Sequence, residues 1–160
     1  MNNKRKVIYW SLLIGWMIFI FIMSNQPAKI SDSQSFGVLN LFNKLGIDIE
    51  GVFGEFANFV VRKCAHFIEY MILGLFTFNV LRLYYKLKQA SIITILCIFI
   101  YACSDEIHQL FVIGREGSIR DVLIDTCGGI VLVTMRLIIL QIKEFDIKKK
   151  LNKLFIENSS

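Results

Sequence analysis

Apolar residues fill long runs of this chain, and the polar residues that interrupt them recur at helical spacing. Residues 7–23 are almost wholly apolar, and no charge occurs from Val7 to Ala28. Three further runs, 65–83, 90–111 and 119–142, match the roughly 20 residues that a bilayer-crossing helix needs. Unlike the first, they carry charges: His66 and Glu69, then Asp105, Glu106 and His108, then Arg120, Asp121, Asp125 and Arg136. The pattern predicts an all-α fold, an integral membrane bundle of four transmembrane helices forming one domain over residues 1–160.

The first run follows Lys4-Arg5-Lys6, as a secretory signal would. Its apolar stretch exceeds the usual signal core of about 7–15 residues, and no small-x-small cleavage site follows it, so a retained helix is expected. Residues 24–62 then form an external segment. Phe36, Leu39 and Phe42 recur there at helical spacing, as do Phe53, Phe56 and Val60, which predicts short amphipathic helices in the membrane interface. In the basic tail, 143–160, Ile147, Leu151, Leu154 and Phe155 form an apolar stripe opposite lysines, suited to an anionic leaflet.

Composition sharpens this picture. At 55% hydrophobic residues and a mean hydropathy of +0.57, the 160-residue chain exceeds the roughly 45–50% apolar content of soluble domains. Disorder is excluded on the same ground. The four cysteines (Cys64, Cys97, Cys103, Cys127) lie in apolar runs with no C-x-x-C pair, which argues against a disulfide scaffold. Of the 18 basic residues, twelve fall in the N-terminal flank, the loop after the second run, the inner part of the fourth run and the tail. The positive-inside rule therefore predicts cytoplasmic N and C termini in a cell membrane. Orientation accounts for the net charge of +5, and no nucleic-acid partner is required.

With that orientation, three segments deliver their ionisable residues to one level. Arg62, His66, Glu69 and Tyr70 share a face of the second helix, and Tyr101, Asp105, His108 and Gln109 share a face of the third. Glu106 adjoins that set, Arg115 sits in the following turn, and Arg120, Asp121 and Asp125 open the fourth helix. At about 1.5 Å per residue, the ionisable side chains lie within roughly 10 Å of the outer boundary. Ionisable residues inside a membrane are functional candidates by default, because each isolated charge costs about 2.5–3.5 kcal/mol at the bilayer centre. The competing reading is structural: such a cluster can bind helices together at about 0.6 kcal/mol per hydrogen bond. Ser118-x-x-Asp121 also has the form of a capping box, which would make Asp121 a helix-start residue without chemistry.

Several motifs in this set resemble the VanZ-like family. They are Ser24-Asn25-Gln26-Pro27, Arg62-Lys63-Cys64-Ala65-His66-Phe67-Ile68-Glu69-Tyr70, Ser104-Asp105-Glu106-Ile107-His108-Gln109, and Gly114-Arg115 followed by Arg120-Asp121-Val122-Leu123-Ile124-Asp125-Thr126 and Gly128. One departure is Ile113, where the family often has proline. The resemblance implies a small bacterial multispanning membrane protein. It associates the type member with low-level teicoplanin resistance in Gram-positive bacteria, without a settled biochemical activity.

Three mechanisms follow. In the first, a non-enzymatic envelope protein binds an amphiphile at an outer-leaflet polar site, with membrane lipid, a lipid-linked cell-wall precursor or a lipoglycopeptide antibiotic as partner. Arg62, Arg115 and Arg120 would then engage phosphate or carboxylate groups. No cofactor is called for. In the second, His66 with Glu69 and Asp105 with His108 supply a membrane-embedded acid–base or metal-dependent enzyme acting on a lipid-linked envelope substrate. The third, an ion path, needs ionisable residues at successive depths, and apart from Arg136 the inner halves of the helices lack them.

Overall fold

The apolar runs fold into helices that are longer than hydropathy alone predicts. The computed structural model describes residues 3–157, with side chains through Lys149. Six α-helices form: α1 (Asn3–Ser24), α2 (Ala28–Lys44), α3 (Ile49–Phe53), α4 (Ala57–Leu81), α5 (Leu87–Gln109) and α6 (Ile119–Glu157), with a 3₁₀ turn at Gly54–Phe56. No strand occurs among the described residues. Among the described residues, four helical stretches are long and apolar enough to cross a membrane: 3–24, 49–81, 87–109 and 119–149.

The boundaries differ from the hydropathy reading in two places. The second helix begins at Ala57, not near 65, so Arg62, expected at the end of the external segment on the second helix's face, and Lys63 both lie well inside α4. Both are paired with carboxylates, which is how a helix accommodates them in an apolar run. The fourth helix does not stop near 142 but continues into the tail as one rod. The side chains of Leu151, Leu154 and Phe155 in the expected tail stripe lie outside the described residues.

α4 is the central helix and packs against α6, α5, α1 and α2. Its closest partner is α6, for a steric reason. A Cβ at Gly128 would collide with the Phe67 carbonyl oxygen of α4, a backbone atom that cannot swing aside, so only glycine permits this approach; Gly129 lies against the Ile98 side chain of α5. Ile20, Tyr70, Leu73, Ile98 and Ala102 fill the core between α1, α4 and α5. Hydroxyls inside the helices return to their own backbones: Ser91, Thr94, Thr126 and Thr134 each donate to the carbonyl four residues earlier.

α1 leaves most of its apolar surface outward, as a helix facing hydrocarbon does. Named hydrogen bonds fix its register. Trp16 Nε1 donates to the Glu69 carbonyl at 2.9 Å, and the Tyr101 hydroxyl donates to the Met17 carbonyl at 2.8 Å. Beyond Pro27 (φ −53°), α2 lies against α4 through Ser31, Ser35 and Leu39. That face differs from the expected one: Leu39 is buried, but Phe36 is exposed. Gly114, at φ +72°, makes the turn between α5 and α6, and the Ile113 carbonyl accepts from the Ala28 amide at 3.2 Å. The α5–α6 turn is thereby tied to the start of α2, which closes one end of the bundle.

Candidate functional site

The closed end gathers the start of α4, the end of α5, the turn at 110–118 and the start of α6. Two recesses open there side by side. The larger, about 330 Å³, is polar and is bordered by Arg62, Lys63, His66, Arg115, Arg120 and Asp121, with Gln109 and Glu116 beside them. The smaller, about 150 Å³, lies between α2 and α4 and is mostly apolar, lined by Met23, Val38, Val61 and Ala65 with Ser31, Ser35, Gln34 and Glu69. Arg62, His66 and Arg115 border both.

Four cations therefore surround one cavity, and two of them are neutralised. Arg62 Nη1 donates to Asp32 Oδ1 at 2.8 Å, and Asn58 reaches the same oxygen. Lys63 pairs with Asp121 at 2.6 Å, both side chains being 15% or less exposed. Asp121 thus crosses to α4 instead of serving only the start of its own helix, and Ser118 donates its amide to Glu106 Oε2 at 2.7 Å. The expected capping box is replaced by this bond from α5. Arg115 donates from Nε to the Gln26 carbonyl, and Arg120 lies over the Phe59 ring with its guanidinium carbon 5.1 Å from the centroid. Burial, and then the neighbouring Arg62, hold the Arg115 guanidinium below its ordinary pKa.

Behind the cavity stands Asp125, fully buried, its Oδ1 3.9 Å from His66 Nδ1. Among the described residues, neither carboxylate oxygen of Asp125 has a hydrogen-bond partner, and nor does His66 Nδ1. The imidazole is thus turned with Nδ1 inward while its remaining surface borders the two recesses.

The other expected site residues sit apart from the cavity. Asp105 accepts from Gln109 Nε2 at 3.2 Å, and the same amide donates to Ser24 Oγ at 2.9 Å, joining α5 to the end of α1. Glu106 holds the start of α6, as described. Tyr70 is buried in the core, its ring 6.1 Å from that of Tyr101. His108 packs on Phe21 at 4.7 Å between centroids. Its helix spacing with Asp105 is real, and its ring lies against α1. Among the described residues, no three His, Cys, Asp or Glu side chains gather to hold a metal ion. Conversely, Asp32, Phe59 and Lys63 shape the cavity without having been singled out as its residues. For Asp32 the available signal was its place between Ser31 and Ser35 on the face of α2 that meets α4.

These features define a class: a multi-pass helical membrane protein with a basic recess at one end of its bundle. The match to a family model refines it. The chain belongs to the VanZ/LLP1 family, whose model covers residues 9–140, from within α1 to within α6 and so across parts of all four long helices. No curated protein and no solved structure matches the chain.

Proposed function

We propose that this protein binds an acidic-headed amphiphile at the outer face of the cell membrane, and that this binding supports low-level tolerance to teicoplanin-type glycopeptides or envelope homeostasis. The adjacent recesses carry the reading: a basic polar cavity and an apolar one share Arg62, His66 and Arg115. That pairing suits a molecule with an anionic head and a hydrocarbon tail. Guanidinium groups take carboxylate or phosphate oxygens in pairs, and a bilayer-level site lets the tail stay out of water. The distribution of basic residues supports an outward-facing site with both termini cytoplasmic. A lipid-linked wall precursor and a lipoglycopeptide are the ligand candidates.

The test is antibiotic susceptibility in a sensitive Gram-positive host expressing the protein at matched membrane levels. Wild type is expected to raise tolerance to teicoplanin more than to vancomycin, which lacks the lipid chain. Arg115→Gln and His66→Ala are expected to remove that gain. A wild type that changes neither susceptibility defeats the antibiotic part of the proposal. Folded variants that protect as well as wild type defeat the site assignment.

A further inference from the structure

The four cations of the polar recess are not equivalent. Arg62 and Lys63 already hold Asp32 and Asp121. Arg115 and Arg120 have no carboxylate at ion-pair distance among the described residues, and Glu116, which also borders the recess, is exposed and pairs with neither. Arg115 spends one N–H on the Gln26 carbonyl, and its terminal nitrogens make no hydrogen bond among the described residues. Arg120 rests on the face of Phe59, a contact that positions the guanidinium and consumes none of its N–H donors. Lys63 approaches the same ring at 5.2 Å, so Phe59 keeps both cations beside the recess.

We infer that the head group taken by this site is a terminal phosphate, such as a phosphate monoester, held by Arg115 and Arg120 together. This rests on the amphiphile reading above and narrows it to a lipid ending in a free phosphate, setting aside the lipoglycopeptide, whose acid is a carboxylate, and the intact lipid-linked precursor, whose phosphates are esterified on both sides. A carboxylate or a phosphodiester offers one negative charge and two free oxygens. A terminal phosphate offers three free oxygens and a charge of about −1.5 to −2 near neutral pH. Two guanidinium groups that border one cavity without acid partners among the described residues match the second set in charge and in the number of donors left over. The burial and like-charge neighbour that press on Arg115 are relieved by an anion of that kind. The tail then leaves through the apolar recess between α2 and α4, past Val61 and Ala65.

The full chain in non-ionic detergent micelles at pH 8 is titrated with phosphatidic acid, with phosphatidylglycerol of the same chains, with oleate and with inorganic phosphate, binding being followed by calorimetry. Phosphatidic acid is expected to bind roughly tenfold or more tightly than the two monoanionic amphiphiles, since one charge-assisted hydrogen bond is worth about that factor. Arg120→Gln, an exposed position that tests charge without threatening the core, is expected to weaken phosphatidic acid roughly tenfold, and Arg115→Gln to do the same. Equal affinity for all three amphiphiles overturns the terminal-phosphate inference and leaves the amphiphile reading standing. No binding by any amphiphile overturns both. Inorganic phosphate binding as tightly as phosphatidic acid supports the head assignment and overturns the place given to the tail.

Discussion

Gly128 is where the α4–α6 contact, and with it the cavity wall, can be tested by a single methyl group. On propensity alone, Gly→Ala inside a helix is stabilising by about 1 kcal/mol. Here the added Cβ meets the Phe67 carbonyl oxygen, with the Met71 amide nitrogen only 3.2 Å away. Both are backbone atoms of α4, so no side chain can swing aside, and the helices must separate by an amount on the order of 1 Å. Overpacking of this kind costs about 1–3 kcal/mol, enough to reverse the propensity gain. Gly15 is the internal control: a Cβ there meets nothing within 4 Å, so Gly15→Ala carries propensity alone. Thermal unfolding in detergent measures both. At about 2–4 °C per kcal/mol for a chain of this size, Gly128→Ala is expected to fall several degrees below Gly15→Ala. Because Asp121 and Asp125 lie within two turns of Gly128, the same shift should loosen their reach to Lys63 and His66 and weaken ligand binding. Equal melting temperatures for the two variants would refute the close-approach argument and the helix spacing on which the cavity depends.

The remaining predictions concern individual contacts. Removing one charge of the sheltered Lys63–Asp121 pair, as Lys63→Met, is expected to cost about 3–5 kcal/mol, and Lys63→Met with Asp121→Leu to recover much of it; additive losses in a double-mutant cycle would dismiss the coupling. Glu106→Ala strips the Ser118 amide of its acceptor and is expected to cost about 1–3 kcal/mol, visible as faster hydrogen exchange in the first turn of α6. Unchanged exchange there would mean that another group starts the helix. Trp16→Phe removes the donor to the Glu69 carbonyl and is expected to cost about 0.6 kcal/mol in unfolding measurements, with drug tolerance retained.

How much of this was legible beforehand follows from what hydropathy and periodicity can see. The four long helices were legible because apolar runs of bilayer length have few other uses, and the gathering of His66, Asp121 and Asp125 followed from helix direction alone. The start of α4 was not, because Arg62 and Lys63 look like the end of a loop until their partners Asp32 and Asp121 are known. Those partners come from α2 and α6, and pairings between segments leave no local trace. The same holds for neighbours on one helix. Asp105 and Glu106 are adjacent in sequence, but successive residues point about 100° apart. One therefore faces Gln109 and the end of α1, and the other the start of α6. His108 shows the limit of spacing arguments. A D-x-x-H pair can share a helix stripe and still be taken up by packing: Asp105 accepts from Gln109, whose amide also reaches the end of α1, and His108 packs on Phe21 of α1.

Structural and functional readings of the polar cluster need not compete, because they fall on different residues. Asp32, Asp121, Glu106 and Gln109 each hold two segments together through a specific bond, which is the work expected of polar groups between membrane helices. A cluster serving only that purpose would pair its charges and leave no space among them. This one keeps a 330 Å³ recess, two guanidinium groups without acid partners, and a histidine backed by a fully buried aspartate whose oxygens are unbonded. The half-buried Arg115 and the fully buried Asp125 carry a desolvation cost that contacts among the described residues do not fully offset, and the exposed Arg120 adds a second unpaired charge beside them. A ligand that meets them would offset that cost only while bound. On the proposed function, selection for binding more than for stability would account for Arg115 and Arg120 being left without acid partners, and His66 Nδ1 and Asp125 without hydrogen-bond partners, among the described residues.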